Sequence, residues 1–304
     1  MAPSAFFLNS EDGRPGQRFC IFHPPAGASA VARAALVHLH PFAEEMNKSR
    51  RMAALQARAL SAAGCAVLRI DLHGCGDSSG DFGDADWESW LADVQRACAW
   101  LRTQTDAPLW LWGLRAGCLL ATEAASRLDE PVNFLFWQPV LSGKQYLQQF
   151  LRLKTAGEML GGEMSGGEGE AGSGSGNVTA PGGGIAALRL QLAQGEAVEV
   201  AGYRLSPGLA AGLEGAELAP PAGATRVEWL EVAAKAEPAL LPVSARRIEQ
   251  WQAAGHRVRA MAVNGPAFWM TSEIAEAPAL IEATVNAIAA ATDAEPVELA
   301  EPRA

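Results

Sequence analysis

The stretch from Leu109 to Leu120, LWLWGLRAGCLL, joins an apolar strand-like run to an alanine-rich helical one through the turn Gly113-Leu114-Arg115-Ala116-Gly117. A strand-turn-helix of this spacing presents its central residue on a sharp bend, where acyl-transfer chemistry sets a nucleophile. Here that residue is Arg115, whose guanidinium stays protonated at physiological pH and has donors but no nucleophilic lone pair. Two other segments could carry chemistry. Asp71-Leu72-His73-Gly74-Cys75-Gly76-Asp77-Ser78 follows a strand-like run and holds Cys75 and Ser78 as alternative nucleophiles, with His73 or His40 as a base. The same residues also read as a tight turn in which Asp77 and Ser78 bond their own backbone. Pro41-Phe42-Ala43-Glu44-Glu45 sets two carboxylates directly after the run AALVHLH, where they would oppose any negative charge developing nearby. Either glutamate could instead neutralise Arg115. His38 and His40, two apart, share one strand face and could ligate a metal, but no ligand motif accompanies them, and neither a metal nor a cofactor is expected.

The elements that must position these groups follow a regular order. Strand-like runs FCIFHPP, AALVHLHP, AVLRIDLHG, LWLWGL and VNFLFWQPV alternate, after the second, with helical stretches over 49–64, 87–103 and 115–128. This alternation predicts an α/β fold with a mostly parallel sheet and helices on both faces. After Ser142 the pattern breaks and resumes with RVEWLEVAA, a helix over 243–255, HRVRAMAVNG and a helix over 278–292. The core is therefore expected from 1–142 and 223–304, with 143–222 inserted between strands six and seven. Residues 157–184 hold 12 of the 31 glycines and are expected to form a mobile loop within that insertion. Trp110, Trp112, Trp137 and Trp229 read as core, and Trp269, in the last loop, as a pocket wall. Lys48, Arg50 and Arg51 read as a solvated helix start.

At 304 residues and 49% hydrophobic content the chain can bury one large core. No apolar run approaches the roughly 20 residues of a bilayer span, and the first residues lack the features of a secretory signal, so a cytoplasmic protein without a transmembrane segment is expected. A net charge of −10 without a concentrated basic stripe argues against nucleic acid as a partner. The five cysteines are odd in number and without a CxxC pair, which favours reduced thiols.

With its elbow, element order and insertion the chain is similar to the α/β-hydrolases. More narrowly, HPFAEEMNKSRRMAALQARALSAAG, DLHGCGDSSGDF, LWGLRAG and VNGPAFW together resemble the exosortase A system-associated hydrolase 2 family over essentially the whole chain. The resemblance implies a bacterial cytoplasmic protein linked to exopolysaccharide production and PEP-CTERM protein sorting, with protein partners in that system, and an insertion that caps the active face. It also implies where a Ser-His-acid triad should lie. The base belongs after the last strand, where AVNGPAFWM offers Asn264, Pro266 and Trp269 but no histidine; His256 precedes that strand. The acid belongs after the preceding strand, where only Glu237 stands. The triad is thus not intact.

Three readings follow. One is a non-catalytic or divergent member with a capped pocket for a small acyl or anionic ligand, lined by Arg115, Glu44, Glu45, His40, Phe42, Asn264 and Trp269. Another is an active ester or thioester hydrolase with an unconventional nucleophile. The third is a protein-interaction scaffold.

Overall fold

The computed structural model describes residues 2–9, 16–26, 31–164 and 181–293. Ten strands and eight helices are described: β1 (Ser4–Asn9), β2 (Gln17–His23), β3 (Ala35–Leu39), α1 (Glu44–Ala62), β4 (Ala66–Ile70), α2 (Trp87–Arg102), β5 (Leu109–Leu114), α3 (Gly117–Ala125), β6 (Asn133–Trp137), α4 (Gly143–Met164), α5 (Pro181–Ala193), β7 (Val198–Val200), β8 (Tyr203–Leu205), α6 (Pro207–Gly215), β9 (Arg226–Ala233), α7 (Pro242–Ala253), β10 (Arg257–Asn264) and α8 (Pro278–Asp293).

Eight strands form one sheet in the order β1-β2-β4-β3-β5-β6-β9-β10. β1, β2 and β4 pair antiparallel and every other neighbour pairs parallel. The central strands are buried along their whole length, as parallel strands covered on both faces must be. Their alternation divides the core. Leu109, Leu111, Phe134 and Phe136 pack with α2, α3 and α7, whereas Trp110, Trp112, Leu114 and Trp137 pack with α1 and α8. The four tryptophans read as core are all buried.

The segment 143–222, between the sixth and seventh strands of the main sheet, carries α4, α5, α6 and the β7-β8 hairpin as a separate two-stranded sheet. Its seat on α2 is tight, since a Cβ on Gly212 of α6 would lie 2.1 Å from the Trp87 side chain, and α4 packs as closely on α6 within it, where a Cβ on Gly143 would lie 1.7 Å from the Leu213 carbonyl oxygen. The expected limits of the glycine-rich loop are corrected, because 157–164 belong to α4 and 181–184 to α5. The rest of that tract, 165–180, lies outside the described residues. None of the described helices is long and apolar enough to cross a membrane.

All five histidines are held uncharged by burial, which pushes each below its ordinary value of 6.5. His23 is the plainest case. It is buried, neither ring nitrogen has a hydrogen-bond partner among the described residues, and burial with Arg69 and Arg58 nearby brings it down to about 4. A base whose folded value is depressed adds stability that is complete above its unfolded value and lost as pH falls through the folded one. Urea midpoints should therefore decline from pH 7 to pH 4, and less steeply in His23→Phe. In an NMR titration, a His23 ring signal that moved near pH 6.5 would contradict this.

Candidate functional site

Two glycines build the elbow. A Cβ on Gly113 would lie 2.7 Å from Cys118 Cα, and one on Gly117 2.3 Å from the Leu39 carbonyl oxygen, so only glycine lets β5, α3 and the end of β3 approach this closely. Between them Arg115 is forced to φ 55°, in the left-handed region. Its N–H donates to the Trp137 carbonyl at 3.0 Å and its own carbonyl accepts from Val140 N at 3.3 Å, which fixes the bend to β6. Ala43 after β3 (φ 51°) and Gln138 after β6 (φ 42°) are also left-handed. Three strained, non-glycine residues thus converge at the carboxyl ends of adjacent strands.

The elbow side chain points into contacts from three other elements. Nε and Nη2 of Arg115 each donate to Glu45 Oε1 at 3.3 Å. The guanidinium carbon lies 5.7 Å from the Tyr146 ring centre and 5.4 Å from that of Trp269. One ring comes from α4 of the insertion and the other from the loop after β10, so the cation is flanked by two π systems, each worth about 0.5–2 kcal/mol. The paired side chains are 19% and 20% exposed. Burial pushes the Glu45 carboxyl above its ordinary value of 4.5, against the opposing effects of Arg115 and the Tyr146 hydroxyl. That hydroxyl interacts with the Glu45 carboxylate from α4, while Glu45 Oε2 is buried and makes no hydrogen bond of good geometry among the described residues.

Glu44 goes elsewhere. Helix α1 begins at Glu44 rather than Ser49, which puts both glutamates in its first turn, where the helix dipole favours carboxylates. Glu44 is exposed, and its Oε2 accepts from Tyr203 at 3.0 Å and Asn47 at 3.0 Å, latching β8 of the insertion to α1. The chain's two tyrosines therefore each meet one of the two glutamates. Sequence reasoning missed Tyr146; its place in the helical run KQYLQQF gives no sign of which side chain it will face.

Several expected pocket residues are corrected. Asn264 is exposed and donates to the Lys235 carbonyl. Phe42 is 1% exposed and makes edge contacts with Phe82, Trp90, Tyr146 and Phe150, so it fills core instead of lining a pocket. His40 is sealed in: its Nδ1–H donates to the Pro41 carbonyl at 2.8 Å, and its Nε2 accepts from Leu72 N at 3.3 Å. Of the expected set, the structure brings together Arg115, Glu45 and Trp269.

The alternative nucleophiles are also committed. Ser78 Oγ donates to the Asp71 carbonyl and accepts from Phe19 N at 2.9 Å, tying the loop after β4 to β2. Cys75 is buried, and burial together with Asp71 pushes its thiol far above the ordinary value. Among the described residues no hydrogen bond joins His40 or His73 to Cys75 or Ser78. His73 instead donates its backbone N–H to Asp93 Oδ2 at 2.7 Å. His256 bonds Thr225 at the amino end of β9, and Glu237 is exposed. Lys48, Arg50 and Arg51 are not freely solvated: they reach the Ser272 carbonyl, Asp71 and Glu276. Among the described residues no group of three His, Cys, Asp or Glu side chains could hold a metal ion.

Three cavities lie away from the elbow. One of about 410 Å³ sits at the amino ends of β6 and β9, beside Val132 and Thr225. Another, of about 590 Å³, lies between α2 and α6, and a third, of about 570 Å³, between α1 and α8. None of these three is lined by Arg115.

A mostly parallel eight-stranded sheet, helices on both faces, a glycine-flanked elbow after β5 and an insertion after β6 together decide the architecture. The chain has the α/β-hydrolase fold. A family model described as serine aminopeptidase, S33, matches residues 30–161, which include the elbow. Est1E from Butyrivibrio proteoclasticus, solved with ferulic acid bound, is similar over 93% of this chain and 96% of its own, at 14% identity and a TM-score of 0.59. A lidless α/β serine hydrolase from Xanthomonas campestris is similar over 97% of both chains, at 15% identity and a TM-score of 0.53. Mouse α/β hydrolase domain-containing protein 10 is similar over 95% of this chain and 98% of its own, at 16% identity and a TM-score of 0.51. No curated protein matches the chain.

The pair at this α/β-hydrolase elbow is testable as a unit. Arg115→Leu and Glu45→Gln should each cost about 1–3 kcal/mol, below the fully buried range because both side chains are partly exposed, and the double variant should cost less than their sum. Strict additivity in denaturant unfolding would reject the coupling. The pH trend has a definite sign. A carboxyl whose folded value is raised adds stability present below 4.5 and lost as pH rises through the folded value, so wild type should lose ground to Glu45→Gln above pH 4.5.

Proposed function

We propose that this chain is a hydrolase-family protein that has exchanged catalysis for binding. The observation that carries the reading is the occupied elbow: the residue at the nucleophile position is a cation, paired with Glu45 and flanked by Tyr146 and Trp269. Acyl transfer draws most of its rate from an activated nucleophile and preorganised donors for negative charge. Here a carboxylate stands beside the nucleophile position, and the base and acid positions hold no histidine and only an exposed glutamate.

The resemblance to the exosortase A system-associated hydrolases supplies the setting: a cytoplasmic protein acting beside exopolysaccharide production and PEP-CTERM sorting. Segment 143–222 serves as its cap, since Tyr146 and Tyr203 bring α4 and β8 onto the residues that follow β3. The strain at Ala43, Arg115 and Gln138 supports a retained binding role, because left-handed non-glycine residues persist where the surrounding structure has reason to hold them. The ligand class is a small acyl or other anionic molecule that Arg115 would recognise.

The scaffold reading draws support from exposed Leu153 and Leu190 on the insertion and Met270 and Ile274 in the loop after β10. The rival hydrolase reading needs Cys75 or Ser78 to leave its present contacts.

Purified protein should resist labelling by a fluorophosphonate probe and should cleave p-nitrophenyl acetate and butyrate no faster than Arg115→Ala. Stoichiometric labelling at one serine, or esterase activity abolished by Ser78→Ala or Cys75→Ala alone, would overturn the binding reading.

A further inference from the structure

Within one molecule two arginine–carboxylate pairs can be compared. Arg18 and Asp93 are both about 1% exposed, and Nε of Arg18 lies 2.7 and 2.8 Å from the two carboxylate oxygens, with His73 N and Arg96 completing the set. That is the distance range of a strong charge-assisted bond. The Arg115–Glu45 pair differs in each respect. Both donors share one oxygen, both contacts are 3.3 Å, and the second oxygen is buried with no hydrogen bond among the described residues. Glu45 fills the place of an anion partner without satisfying it.

Resting on the binding reading above, we propose that Glu45 is the internal occupant of a carboxylate site on Arg115, and that a short-chain carboxylate of propionate size takes its place when the Glu45 side chain swings out. Three features support the exchange. The guanidinium is held by the Tyr146 and Trp269 rings and by the fixed elbow backbone, so it keeps its position when its partner changes. Glu45 stands in the first turn of α1 beside exposed Glu44, and its own side chain is 20% exposed, which gives its carboxylate a short route to water. The space it vacates sets the ligand's size, because a glutamate side chain beyond Cα is a propionate. The surroundings are close-packed rings: Tyr146, which flanks the guanidinium, packs on Phe42, and Phe42 on Phe150. An incoming carboxylate that uses both oxygens makes the two-pronged pair that Glu45 does not.

The opening cost lowers apparent affinity in the intact protein, since only the fraction with Glu45 turned out is competent to bind. Deleting the internal occupant removes that cost and leaves a void matching the ligand.

The test uses sodium propionate as probe, with propionamide as the neutral isostere and sodium chloride at equal ionic strength as control. In wild type, propionate should shift the Trp269 indole NMR signal saturably and propionamide should not, and the shift should vanish in Arg115→Leu. In Glu45→Ala, propionate should bind about tenfold or more tightly than in wild type and raise the melting temperature, hexanoate less so. Binding to Glu45→Ala with none to wild type would overturn the exchange, leaving Glu45 a permanent lock. Equal responses to propionate and propionamide would overturn carboxylate recognition. The wild-type titration decides the matter even if Glu45→Ala does not fold. Neither negative result bears on catalysis, whereas fluorophosphonate labelling would remove the binding reading itself.

Discussion

A guanidinium cannot shed its proton, so an arginine at a strained, poorly solvated turn must be given an anion, a π surface or water. At this elbow it receives a carboxylate and two rings, from three different elements. That requirement links parts of the chain remote in sequence. Glu45 brings the start of α1, Tyr146 the first helix of the insertion and Trp269 the loop after the last strand. Each closes over the elbow residue. The contacts at the elbow are organised around a fixed positive charge.

The pair is weaker than its position suggests. Burial raises the Glu45 carboxyl despite the adjacent cation, which means desolvation outweighs attraction at that group, as it commonly does for buried ion pairs. Its contribution is therefore one of specificity more than of net stability: it decides which groups meet at the carboxyl ends of the strands. Bulk stability resides elsewhere, in two core layers rich in leucine and tryptophan.

Much of this was legible in the sequence. Continuous apolar runs such as ALVHL and LWLWGL belong to strands covered on both faces, and their alternation with helical stretches gave the α/β architecture. Gly113 and Gly117 marked the elbow because the approach of Leu39 and Cys118 leaves no room for a Cβ. β1, an edge strand outside the alternating pattern, was not among the runs that carried the reading. The site was legible in part. Arg115, Trp269 and the pair Glu44 and Glu45 could be named from their places relative to strand ends, but not which glutamate meets the arginine. Tyr146 could not, because the face an inserted helix presents depends on how the insertion seats. Asn264, Phe42 and His40 were misread for a related reason: lying beside a strand end fixes a backbone position but not whether a side chain turns to solvent, to core or to a neighbouring carbonyl.

A closed elbow requires the guanidinium of Arg115 to stay held between Glu45, Tyr146 and Trp269 in solution. Nitrogen-15 NMR of arginine side chains reads this directly, through exchange of the Nε proton with water. Arg115 should give a resolved Nε–H signal that exchanges far more slowly than that of exposed Arg257, and Glu45→Gln should shift and accelerate it. An Arg115 signal exchanging as fast as that of Arg257, or indifferent to Glu45→Gln, would contradict the closed elbow.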